Sequence, residues 1–196
     1  PVLKFFSLIF KTGGTMILSI FFYAQAWGWW FAIGFVLLIL IHECGHLVMA
    51  RLFGLNAGWP VFIPFMGAVI ALKDAPKNAW MEAWVGIGGP LLGTLGAVMC
   101  DLIFLATGEP IFRALAYTGF FLNLFNLAPI SPLDGGRIAT ALSPWLWIVG
   151  LTIIVALAVV HPNFILFLIV LMALPRLGML FRKRTDEEKR FFELSA

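Results

Sequence analysis

Long apolar stretches separated by short polar or glycine- and proline-rich breaks run through most of this chain. The pattern predicts about six spanning helices. They run from Gly13 to Ala26, Trp29 to Phe53, Met81 to Ala106, Ile111 to Asn126, Pro144 to Val160, and Asn163 to Leu180. Gly86, Gly88, Gly89, Pro90, Gly93 and Gly96 soften the first half of the third, and His161-Pro162-Asn163 reads as a tight turn between the last two. One segment breaks the pattern. Residues 54–79 are apolar, yet Pro60, Pro64 and Gly67 oppose a helix while Val61, Phe62, Ile63, Val69 and Ile70 favour extended backbone. Extended backbone at membrane depth needs protein or a wet cavity to satisfy its hydrogen bonds. A small, partly re-entrant β-hairpin after the second span is therefore expected, in preference to a loop lying on the bilayer.

Composition points the same way. Hydrophobic residues make up 62% of the 196 and charged residues 12%, where a soluble domain carries about 25% charged; the mean hydropathy is +1.00. The expected fold class is an all-α polytopic membrane protein, with residues 1–181 as its transmembrane core and 182–196 as a charged cytoplasmic tail. Six spans put both termini on one side, and every Lys and Arg except Arg113 then falls on that side. The asymmetry predicts a multi-pass protein of the cell membrane with both termini cytoplasmic. Pro1 reads as a fragment boundary, and no cleavable signal peptide is apparent. Cys44 and Cys100 form neither a disulfide framework nor a CxxC site, and nothing suggests a nucleic-acid partner.

The second span holds the chemistry. His42-Glu43-Cys44-Gly45-His46 matches H-E-x-x-H. On a helix, residues four apart share a face, about 6 Å apart along the axis, so two imidazoles can bind one Zn²⁺. Glu43 projects about 100° away, where it can act on a water without occupying the metal. The bland alternative is a pair of buried histidines bonded to neighbouring helices. Ionisable groups inside a span are costly and functional by default, which favours the metal. His161 reads as structural and Cys44 as packing.

Hydrolytic zinc usually takes three protein ligands and leaves a position open. Arg51 ends the second span at the cytoplasm, so the third ligand belongs near that face. Asp134 is the only carboxylate in Asn123–Arg137, a stretch kept extended by Pro129 and Pro132, with Gly135 and Gly136 permitting close backbone approach. Capping a helix that begins at Gly135 would account for Asp134 equally well.

The first motif followed by Asn126, Pro129, Pro132, Leu133, Asp134, Gly135 and Gly136, as N-x-x-P-x-x-P-L-D-G-G, closely resembles the site-2 protease family of intramembrane zinc metalloproteases. The apolar hairpin and Gly89-Pro90-Leu91 are similar too, so the resemblance covers residues from about 30 to 140. It implies that His42, His46 and Asp134 bind zinc, that Glu43 is catalytic, and that Asn126 helps hold the substrate backbone near the metal. Where many relatives carry Asn after Gly-Pro-Leu, this chain has Gly93 and Thr94, and no polar role carries over there. Asn123, one turn before Asn126, is expected at most to support it.

The function expected is hydrolysis of peptide bonds in a single-pass transmembrane protein substrate, within or just beneath the lipid bilayer. The hairpin at 59–73 would hold the unwound substrate by strand addition. A membrane metal-binding or transport protein, and an inactive protease relative, are the competing readings.

Overall fold

A computed structural model describes residues 2–65, 67–143, 145–181 and 185–192. Helices form where the apolar stretches predict them: α1 (Val2–Trp27), α2 (Trp29–Leu52), α3 (Ala79–Thr107), α4 (Pro110–Asn126), then a short α5 (Asp134–Leu142), α6 (Leu146–Val160), α7 (Phe164–Phe181) and α8 (Asp186–Phe192). The first helix begins at Val2, well before the expected span. Among the described residues, α2 and α3 are long and apolar enough to cross a membrane, while α6 and the Leu166–Pro175 part of α7 are shorter apolar helices. The expected hairpin is present as β1 (Val61–Ile63) and β2 (Gly67–Val69), between α2 and α3. Much of the charged tail at 182–196 lies outside the described residues; α8 is its described helix.

The contacts divide the chain into two compact units, Pro1–Ala75 with Gly88–Asn123, and Pro76–Ile87 with Leu124–Ala196. In the first, Gly28 alone joins α1 to α2, at φ +81°, a left-handed conformation that glycine adopts without a Cβ clash. Tyr23, Ala24, Ala32, Val36 and Ile39 then form a core with Phe62 of the hairpin. The strands pair antiparallel, Phe62 opposite Ala68, and the ladder continues outward as Gly58 N–H donates to the Ala71 carbonyl and Lys73 N–H to that of Asn56, both at 2.8 Å. Two side chains of α1 seat the hairpin: Phe62 N–H donates to Thr15 Oγ1 at 3.2 Å, and Phe65 N–H to the Tyr23 hydroxyl oxygen at 3.1 Å. Extended backbone in this apolar setting thus finds acceptors in protein, as its polar groups require.

Helices α2 and α3 meet through glycine. A Cβ on Gly45 would strike the Gly88 carbonyl, and one on Gly88 would come 2.6 Å from the Gly45 carbonyl oxygen and 2.7 Å from Met49 Cγ. Backbone against backbone is the closest packing two helices can reach, and only small residues permit it. Farther along, Gly96 faces Leu38 and Ile41. Helix α4 closes the group, with Leu115 filling the room beside Gly34 and Gly119 lying against Ala97 and Leu38.

In the second unit, Ile130, Ile154, Ile169 and Ala173 form the core that joins the turn after α4 to α6 and α7. Gly135 and Gly136 sit on the backbone of Leu127–Ser131, where Cβ atoms would collide with carbonyl groups. Trp147 Nε1 and Thr140 Oγ1 both donate to the Gly136 carbonyl, at 3.0 and 2.6 Å. Gly86 of α3 lies against the backbone of Asp134, and Arg137 pairs with Glu82 at 3.5 Å.

Two consequences are measurable. Asp74 clasps the base of the hairpin, accepting from the Asn56 backbone N–H at 2.9 Å and from its side-chain amide at 2.7 Å. These bonds, the backbone one foremost, hold the Asp74 carboxyl below its ordinary range, with Lys73 adding a smaller pull. A depressed carboxylate stabilises the fold above its unfolded pKa of about 3.9 and loses that contribution as pH falls through the lowered folded value. Hydrogen exchange, corrected for intrinsic rates, is expected to show the Gly58 and Lys73 amides losing protection on acidification below about pH 4, and Asp74→Asn to remove that dependence. At the helix crossing, Gly45→Ala is expected to destabilise the chain by about 1–3 kcal/mol through overpacking, read as a lowered unfolding midpoint in detergent, whereas the same change at Gly54 is limited to its local φ of +72° because nothing lies near its Cβ.

Candidate metal centre

Helix α2 carries His42 and His46 on one face, one turn apart, and both are buried. Their rings stand nearly edge to face, with centroids 4.9 Å apart and planes at 80°. The two Nε2 atoms approach to 3.2 Å. Glu43, between them in sequence, is buried as well, at 8% exposure.

The opposing surface is Gly89 of α3. A Cβ there would overlap the His46 imidazole and come 2.7 Å from His42 Nε2. Residue 89 can therefore only be glycine while both rings keep their places. Its N–H lies 3.3 Å from His46 Nδ1, at the long end of hydrogen-bond distances. The same face of α3 continues, one turn on, to Gly93, where the missing side chain leaves space that the Asn123 amide fills. Asn123 Oδ1 reaches His42 Nδ1 at 2.8 Å, and Asn123 Nδ2 donates to the Gly119 carbonyl of its own helix at 2.7 Å.

The pair fits a tetrahedral cation with nitrogen ligands. Two nitrogens each 2.0–2.1 Å from one tetrahedral ion lie about 3.3–3.4 Å apart, and the observed separation is 3.2 Å. The pair is buried and convergent, and the facing backbone carries no side chain.

Asn126 is the last residue of α4 and half-buried. Asp134 is the first residue of α5, half-buried, and the N-cap is Leu133. Asp134 thus stands inside the helix start and not at the capping position that the alternative reading gave it. Asp101 pairs with Arg113 at 3.0 Å at the far end of α3, Glu109 is exposed, and His161 is an exposed residue at the end of α6.

Asn123 differs from its expected role. It meets His42, where support of Asn126 was expected. A usable signal existed: the buried positions of α4 are Leu115, Ala116, Gly119 and Asn123, a helical period on which Asn123 is the sole strongly polar group. A polar side chain on the buried face of an apolar helix needs a hydrogen-bonding partner, which directs attention to it.

Known proteins agree with this chemistry. Residues 30–117 match the model described as Peptidase family M50. That range holds α2, the hairpin, α3 and the first part of α4, and stops short of Asn123, Asn126 and Asp134. A zinc metalloprotease of Methanocaldococcus jannaschii, MJ0392, is 31% identical over 119 residues, which are 57% of this chain and 34% of that protein. The protein provisionally named zinc metalloprotease Rip3 of Mycobacterium tuberculosis is 33% identical over 117 residues, 56% of this chain and 29% of the relative. Another provisionally named zinc metalloprotease, sll0528 of Synechocystis, is 28% identical over 105 residues, 51% and 27% of the two chains. The matched part spans about a third or less of the length of these relatives. Residues 30–117 thus match peptidase family M50, the family of the site-2 proteases, and the relatives carry zinc metalloprotease names.

Proposed function

We propose that this chain is a zinc-dependent endopeptidase that cleaves membrane-spanning protein substrates within or just beneath the bilayer. The observation that carries the reading is the buried His42–His46 pair, with Nε2 atoms 3.2 Å apart against Gly89. The family match and the zinc metalloprotease names of the relatives support it. In this reading His42 and His46 hold the ion and Asp134 completes the ligand set. One observation favours Asp134: it stands at the start of α5 without serving as the N-cap. The six-span topology with both termini cytoplasmic belongs to the same proposal, resting on the distribution of Lys and Arg.

Zinc, when bound, supplies electrostatic stabilisation of an oxyanion and lowers the pKa of water towards neutrality. The protein does the rest. The Glu43 carboxylate takes a proton from the attacking water and delivers it to the nitrogen of the leaving amine. Asn126 holds the substrate backbone in reach. A helical substrate hides its carbonyls in hydrogen bonds, so it must unwind, and the hairpin offers extended backbone to receive it.

Co-expression with a single-pass membrane reporter tests the reading. Glu43→Gln is expected to reduce cleavage by about 10²–10⁴-fold while leaving zinc in the purified protein. His46→Ala and Asp134→Ala are expected to lose both zinc and cleavage. Cleavage surviving Glu43→Gln overturns the mechanism. Zinc bound without cleavage across a substrate panel moves the assignment to a metal-binding or transport protein.

A further inference from the structure

We propose that Asn123 is the positioning residue of the metal centre: it sets the tautomer and rotation of His42, so that the Nε2 lone pair faces the ion. The inference rests on the reading of His42 as a zinc ligand and extends it to a residue that neither motif contains.

The direction of the hydrogen bonds decides the tautomer. An asparagine amide has one end that donates and one that accepts. The Gly119 carbonyl can only accept, so the 2.7 Å contact fixes Nδ2 on that side and turns Oδ1 towards His42. An oxygen facing Nδ1 at 2.8 Å demands a proton on Nδ1. A neutral imidazole with its proton on Nδ1 carries its lone pair on Nε2, the atom that approaches His46. One backbone carbonyl of α4 therefore dictates, through one amide, which nitrogen of α2 is ready to bind a cation.

The place for this amide is built into α3. Asn123 is 3% exposed. A Cβ on Gly93 would overlap Asn123 Oδ1 and lie 2.9 Å from both Cγ and Nδ2. Glycine at 93 and asparagine at 123 thus form a complementary pair, one side chain absent so that the other can reach His42. The neighbouring buried positions of α4, Leu115, Ala116 and Gly119, bring no polar group. His46 is held differently, against Gly89, with its Nδ1 facing a backbone N–H. The two histidines are therefore not equivalent, and loss of Asn123 acts through His42. Partners that orient a metal-ligating histidine typically contribute about 10–100-fold in metal affinity.

The test uses the full chain in detergent, with zinc affinity measured by competition against a chromophoric chelator and the visible spectrum of the Co²⁺-substituted protein recorded alongside. Asn123→Leu keeps the volume and removes the acceptor. It is expected to weaken zinc about 10–100-fold and to alter the Co²⁺ bands. Asn123→Asp keeps an acceptor towards Nδ1 and, as the neutral acid, an O–H donor for the Gly119 carbonyl. Measured at a pH that keeps it protonated, it is expected to stay within a few-fold of wild type. Gly93→Ala, which drives the amide from its place, is expected to resemble Asn123→Leu. Wild-type affinity and spectrum in Asn123→Leu overturn the proposal, as does an Asn123→Asp protein as weak as Asn123→Leu, since that outcome marks a packing role. If Asn123→Leu fails to fold, Gly93→Ala decides: unchanged zinc affinity there overturns the proposal. Failure of the wild type to bind zinc overturns the underlying metal reading instead.

Discussion

The backbones of α2 and α3 touch at Gly45 and Gly88, with no side chain between them. Everything at the histidine pair follows from that distance. Gly45 lies within the H-E-x-x-H motif, so the residue that allows the contact sits between the two rings it serves. With the helices this close, the next residue of α3, Gly89, comes against both imidazoles, and Gly93 comes level with Asn123. An alanine at 45 or 88 would strike the facing backbone, and one at 89 or 93 would strike the imidazoles or the Asn123 amide. The constraint is steric, and it is met by absence of side chains rather than by an attractive group.

Close approach also answers why so many polar atoms can be buried here. Polar groups removed from water need partners, and unmet ones cost more than a met bond gains. The partners form a continuous run. Gly89 N–H faces His46 Nδ1, His46 Nε2 faces His42 Nε2, His42 Nδ1 meets Asn123 Oδ1, and Asn123 Nδ2 ends on the Gly119 carbonyl. Two backbones anchor the ends and three side chains fill the middle. Such a network orients its members as well as satisfying them. The hairpin obeys the same rule by other means, donating Phe62 and Phe65 N–H groups to hydroxyl oxygens of α1.

The second unit repeats the device around Asp134. Gly135 and Gly136 lie on the carbonyls of Leu127–Ser131, and Gly150 lies on Pro129. The D-G-G motif is thus explained by packing as much as by chemistry. Its glycines let α5 start directly on the turn after α4, and the Gly136 carbonyl takes bonds from Trp147 and Thr140.

Much of this was legible in the chain itself. The apolar stretches mark six of the eight described helices, because a long uninterrupted apolar run continues as a helix. Pro60, Pro64 and Gly67 mark the hairpin, because they cannot continue α2. The i, i+4 spacing alone places His42 beside His46, because both lie on one helix. Asn123 meets a partner 81 residues away, so in the sequence only its place on the apolar period of α4 sets it apart from Asn126. The glycines of α3 read as softness in a span; in the structure they are surfaces, each matched to a named group on another helix. Sequence by itself determined the helices, the hairpin and the two imidazoles, since these depend on covalent neighbours and helical period. Tertiary structure alone decided which nitrogen of His42 is protonated, since that depends on an amide from another helix and on the space that Gly93 leaves for it.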